Sequence, residues 1–219
     1  YPFTTWTPTP GMMNVRDIQV QLIYTPALSR EHIEHMLLDM VRRADVILLM
    51  IDLQDYPIQQ LEDTVELLAE HRIYPERLQE ELQVERGMAF KRILVAANKA
   101  DDPEVDADFE VLRELLGDEW TLLPLSAKNG RYLIELGEAL YDALEVMRVY
   151  SKKPGYPPDM SAPFVLHRGG TVEDFARGVH QDLAEHLKSA RVWGTDVHDG
   201  QMVGRDHVLH DKDVVELRT

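Results

Sequence analysis

Six consecutive apolar residues, Val46-Ile47-Leu48-Leu49-Met50-Ile51, stand between Asp45 and Asp52. A strand that is apolar on both faces must be covered on both, as happens inside a parallel sheet. Parallel strands need helical crossovers, and the chain supplies them on either side of the run. Before it, Ile33, Met36, Leu37, Met40 and Val41 recur at helical spacing behind a cap at Ser29. After it, Pro57 opens a helix carrying Ile58, Leu61, Val65 and Leu68. Residues 72–90 are rich in Glu and Arg and read as a surface excursion. A second apolar strand, residues 92–97, leads to a helix that starts at Asp106 and carries Phe109, Leu112 and Leu116. A short third strand, residues 121–125, precedes Leu133, Leu136, Leu140, Leu144 and Met147, again at helical spacing. This part is α/β, with helices on both faces of a parallel sheet.

Ahead of that pattern, residues 1–11 are loop by composition, and two strands meet at a turn near Arg16-Asp17 before Thr25-Pro26-Ala27. From Val149 the grammar changes. A turn-rich Lys152 to Pro158 precedes a strand at 163–167, and Thr171-Val172-Glu173-Asp174 caps a helix burying Val172, Phe175 and Val179. Strands at 189–193 and 214–217, separated by glycine turns, complete a small α+β unit. The reading is therefore two domains, 1–146 and 147–219. The first holds 13 Lys+Arg against 28 Asp+Glu and the second 10 against 11, so nearly all of the −16 net charge lies in the first. An acidic first domain is repelled by phosphate backbones, and any nucleic-acid contact belongs to the second. With no cysteine there is no disulfide framework or thiolate metal site, which suits a reducing, cytoplasmic setting. No apolar run reaches the roughly 18–20 residues that span a bilayer.

The second strand ends in Asn98-Lys99-Ala100-Asp101. A carboxylate at Asp101 can accept from a base edge that offers two adjacent N–H donors, as guanine does. Asn98 can brace the loop, and the stem of Lys99 can cover the ring. The C-terminal ends of parallel strands are where such sheets bind ligands. A bare tetrapeptide of this kind is equally compatible with a solvated turn.

Together with Ser126-Ala127-Lys128, the tetrapeptide resembles the base-reading loops of GTPase G domains. Tyr1-Pro2-Phe3-Thr4-Thr5 with Pro10-Gly11 resembles the switch I loop of the Obg and developmentally regulated GTP-binding (DRG) branch. The segments Val149 to Gly155, Gly170 to Asp174, Val192-Trp193-Gly194, Asp206 to Leu209 and Asp213-Val214-Val215 resemble a TGS domain, a small β-grasp module. The resemblance implies an incomplete P-loop-NTPase-like G domain followed by TGS. It implies GTP or GDP with Mg²⁺ as ligands. Asp101 would face the guanine N1 and N2 hydrogens, the N–H of Ala127 would meet O6, and Ser126 and Lys128 would shape the loop. Thr5 would reach Mg²⁺, with Thr4 as fallback, and the N–H of Ala27 would meet the γ-phosphate.

Two departures qualify the expected activity. No Gly-x-x-x-x-Gly-Lys-[Ser/Thr] phosphate loop is present, and the resemblance places that loop upstream of Tyr1. The family's Asp-x-Pro-Gly reads Tyr24-Thr25-Pro26-Ala27, and a phenol is no substitute for a magnesium-holding carboxylate at neutral pH. Two functions stay open. One is a translation- or ribosome-associated GTP-binding switch, seen without its phosphate loop and lacking useful hydrolysis by itself. The other is a pseudo-GTPase scaffold that meets a protein, RNA or ribosomal partner through TGS. Lys152, Lys153, Arg168, Lys188 and Arg191 form a modest candidate RNA patch. His32 and His35, and His198, His207 and His210 among aspartates, read as solvated polar groups in preference to metal sites. The oligomeric state is not encoded in any recognisable pattern.

Overall fold

The computed structural model describes residues 8–28, 33 and 35–219. It divides into two units, one taking in the chain up to Met13 and Gln21–Ala143, the other Asn14–Val20 and Leu144–Thr219. The two-stranded sheet of β1 (Thr9–Val15) and β2 (Ile18–Tyr24) turns at Arg16, whose φ of 54° is the left-handed value a tight turn demands.

The first unit is built on β5 (Ala89–Asn98), which follows α1 (His35–Arg43), β3 (Val46–Asp52), α2 (Pro57–Glu70) and β4 (Ile73–Pro75). On one edge β5 pairs with β3; on the other it pairs with β4 near its start and with β6 (Thr121–Pro124) near its end, all in parallel. The side chains of β5 alternate between two cores. Val95 and Ala97 pack with Leu49, Ile51, Leu61 of α2, and Phe109 and Leu112 of α3 (Asp106–Leu116). Leu94 and Ala96 pack with Leu136 and Leu140 of α4 (Leu133–Ala143), and Met13, Leu22, Val46 and Leu48 join them. Full burial of a side chain such as Val95 contributes about 1.5–3 kcal/mol.

Three expectations change here. The apolar run is covered on both faces, with Leu49 and Ile51 in one core and Val46 and Leu48 in the other, but Met50 is 47% exposed. The 72–90 excursion contains a strand, β4, because Ile73 is fully buried and its backbone extends the sheet. The last helix ends at Ala143, and Met147 lies in strand β7 (Val146–Ser151). Helical spacing runs on through Met147, but Glu145 adopts φ 51° and pairing with two strands takes over. The expected cap at Ser29 lies outside the described residues.

The second unit is one five-stranded sheet in the order β10-β9-β11-β7-β8. Its other strands are β8 (Phe164–His167), β9 (Ser189–Trp193), β10 (Gln201–Val203) and β11 (Asp213–Arg218). Only the central β11–β7 pair is parallel. Helix α5 (Val172–Val179) starts at a capping box in which Thr171 and Asp174 satisfy each other's backbone N–H groups. Its Phe175 is 1% exposed and meets Phe164 edge-on at 5.3 Å, above Met147, Val149, Val192 and Val215. A short α6 (Gln181–His186) follows. Gly194 has no alternative, because a Cβ there would lie 1.9 Å from the Asp213 carboxylate. Among the described residues, no helix is long and apolar enough to cross a membrane.

Candidate functional site

Parallel pairing brings the C-terminal ends of β3, β5 and β6 to the same edge of the first unit. Asp52 is in register with Asn98, and Ala97 with Pro124. The backbone then ties the loops together: Leu53 N–H donates to the Asn98 carbonyl, Leu125 N–H to that of Ala97, and Ala100 N–H to that of Leu125, at 2.9–3.0 Å. Lys99 sits between these anchors at φ 73°. That left-handed backbone is uncommon for a long side chain, and such outliers concentrate at ligand-binding loops.

The side chains expected to read a base are brought together. Asp101 Oδ1 accepts from Ser126 Oγ at 2.6 Å, and Lys128 Nζ stands 3.6 Å from Oδ2. The Ser126 hydroxyl, seconded by the charge of Lys128, holds the Asp101 carboxyl below its ordinary range, although burial opposes this. The carboxylate therefore stays an acceptor and keeps 26% of its side chain exposed. Ser126 is fully buried, and its Oγ also accepts from Asn129 N–H at 3.3 Å, so its hydroxyl hydrogen is directed at Asp101. Asn98 Oδ1 accepts the N–H of Ala127 at 3.0 Å, bracing one loop with the other. That N–H, expected to face a base oxygen, is thus engaged by the protein. Lys99 Nζ forms an ion pair with Asp52, which raises its pKa, with Asp55 and Asp101 adding to the effect.

Three contributors escaped the sequence reading. Asn129 donates through Nδ2 to the Asp101 carbonyl at 2.6 Å. Arg131 donates to the Ala100 carbonyl at 2.9 Å and to Asp106 Oδ2 at 2.9 Å, and lies over the Tyr132 ring. Asp52 holds Lys99. The run Asn129-Gly130-Arg131 directly after Ser126-Ala127-Lys128 was the available signal for the first two; nothing local points to the third.

The phosphate side is different. Thr4 and Thr5 lie outside the described residues. Ala27 is exposed, in an irregular segment after β2 whose other residues are half-buried, and Tyr24, at the strand end, is 61% exposed. Among the described residues, no group of three or more His, Asp or Glu could hold a metal ion. Tyr24 offers a phenol where the resemblance implies a carboxylate for Mg²⁺.

Residues 147–219 match the TGS domain family. An uncharacterized GTP-binding protein of Methanocaldococcus jannaschii is 28% identical over 276 residues, covering 99% of this chain and 70% of its own length. Developmentally-regulated GTP-binding protein 1 of Xenopus laevis is 40% identical over 97 residues, 43% of this chain and 26% of that protein. Residues 147–219 are thus a TGS domain, and the chain as a whole is similar to GTP-binding proteins of the developmentally regulated type. In fold, the solved structure of the Schizosaccharomyces pombe YchF GTPase superposes with a TM-score of 0.66 over 100% of this chain and 89% of its own, at 11% identity.

Proposed function

We propose that this chain binds guanine nucleotides through Asp101, Asn98 and Ser126, and that by itself it does not hydrolyse GTP. The observation that carries the reading is the Asp101 carboxylate. It is oriented by a buried hydroxyl, kept ionised and left partly open, between two loops fixed by hydrogen bonds. Guanine offers N1–H and N2–H donors to such a group. Adenine would set an acceptor and a C–H against it, leaving the acceptor unmet. A base entering this site would share the Ala127 N–H with Asn98 or draw it away. The GTP-binding relatives support the same ligand class.

Catalysis is another matter. Phosphoryl transfer to water needs a cradle for the phosphates and a held magnesium ion; this sequence holds no Gly-x-x-x-x-Gly-Lys-[Ser/Thr] loop, and Tyr24 stands where the resemblance implies a carboxylate. We place the domain boundary at 146/147, with 147–219 acting as the module that meets a protein, RNA or ribosomal partner. A cytoplasmic, translation-associated role goes with that reading. A scaffold that binds no nucleotide is favoured by one observation, the exposed Tyr24 at the position of the expected carboxylate.

Calorimetric titration with GDP and with ADP, on the chain and on its Asp101→Ala variant, tests the proposal. Weak binding of GDP alone, lost in the variant, is expected. Equal heats from both proteins would sink the guanine assignment and leave the scaffold.

A further inference from the structure

We propose that Asp52, at the end of β3, is a positioning residue that fixes the course of the Lys99 side chain and thereby sets the floor on which the base lies. The inference rests on the guanine reading of the site and extends it to a residue of a different strand. Lys99 leaves β5 with a left-handed backbone, which turns its side chain away from the path that the preceding strand residues follow. Its ammonium ends on the Asp52 carboxylate, while Asp101 and Asp55 lie within electrostatic reach. A lysine held at both ends has a fixed stem. One held only at its Cα sweeps many rotamers, and a bound ring would have to order it.

Asp52 is itself well anchored. It lies in register with Asn98, so the two carry their side chains from adjacent strand ends. Its backbone N–H donates to Gln60 Oε1 at 2.9 Å, and Gln60 Nε2 returns to its carbonyl at 3.4 Å, so the first turn of α2 grips this residue. Its Oδ1 accepts from the Gln54 N–H at 3.0 Å, capping the turn that follows β3, and its second oxygen meets Lys99. The division of labour matters: one carboxylate oxygen shapes the turn, and the other steers the lysine. An ordinary surface ion pair would have neither the left-handed lysine nor the gripped carboxylate.

Asp52→Asn separates these roles, because an asparagine keeps the Oδ1 acceptor for Gln54 and loses the charge that Lys99 meets. Two readouts decide the case. The first is the titration of the Lys99 side chain by heteronuclear NMR, which needs no nucleotide; the variant is expected to titrate at lower pH. The second is GDP affinity by calorimetry, expected to fall roughly three- to fivefold, the size of a half-exposed ion pair. Discrimination against ADP is retained, since Asp101 is untouched. The double variant Asp52→Asn/Lys99→Met is expected to bind no more weakly than Lys99→Met, because the aspartate acts only through the lysine. An unchanged Lys99 titration overturns the proposal, and so does additivity in the double variant. A parent chain that binds GDP as weakly as Asp52→Asn overturns this proposal alone. A parent that takes up no GDP overturns the guanine reading and this proposal with it.

Discussion

The proposed base site of the first unit and the face of the second unit's sheet that carries Arg148, Tyr150 and Glu216 use the same side-chain types to opposite ends. At the ends of β5 and β6, Asp101 is oriented by Ser126 and left partly exposed. On the sheet, Arg148 is 7% exposed and spends its guanidinium on Asp17 and Asp211, while Tyr150 also donates to Asp17. Glu216, 4% exposed, takes Lys152 and Arg218, and Lys152 covers the Trp193 ring. There the charges satisfy one another. The expected RNA patch loses its Lys152 to this network. Exposure does not separate the two, since the Asp17 and Asp211 side chains are 34% and 36% exposed against 26% for Asp101; the partner does, a buried guanidinium on the sheet and a neutral hydroxyl with a lysine 3.6 Å away at the loops.

That contrast can be broken at its strongest point. Arg148→Ala leaves Asp17 and Asp211 without their cation and is expected to destabilise the chain by about 3 kcal/mol in urea unfolding. A loss within a few tenths would mean that the network is ornamental. Asp101→Asn should be nearly neutral for stability yet lower GDP affinity about tenfold or more, as loss of a charge-assisted contact does. It should favour xanthine nucleotides, whose O2 acceptor suits an amide N–H. If guanine and xanthine nucleotides are still bound as before, the assignment of Asp101 to the base fails.

Smaller effects sharpen the second unit further. Thr171→Ala removes the hydroxyl of the capping box and should cost about 1 kcal/mol in the same unfolding assay. Glu216, through Lys152 and Arg218, and Asp174, through the Thr171 N–H and hydroxyl, are held below their ordinary values of 4.5 and 3.8. Burial raises Asp17, but the Arg148 and Tyr150 bonds outweigh it, so it too lies below 3.8. Depressed carboxylates stabilise the fold fully above the ordinary range, and the gain is lost as pH falls through their folded values. The sheet is therefore expected to loosen in acid below about pH 4, less so in Asp17→Asn. Tyr150 moves the other way: burial first, then the bond to Asp17, pushes it up to about 12. Its contribution is present below 10 and is lost as pH rises toward 12, so the tyrosinate absorbance band should lose a late-titrating phenol in Tyr150→Phe.

The sequence by itself determined the α/β character of the first part, the β-grasp grammar of the second, and the two loops that meet at Asp101. These are local matters: apolar period, caps such as Thr171, and side-chain chemistry in short motifs. Tertiary structure decided the rest. It made Val146–Ser151 a strand although its apolar spacing continued a helix, because pairing with β11 and β8 outweighs local propensity. It left Met50 exposed because burial depends on what packs over each residue of a strand, not on the strand's own composition. And it brought Asp52 to Lys99 from a different strand, since parallel register alone fixes which strand ends lie side by side.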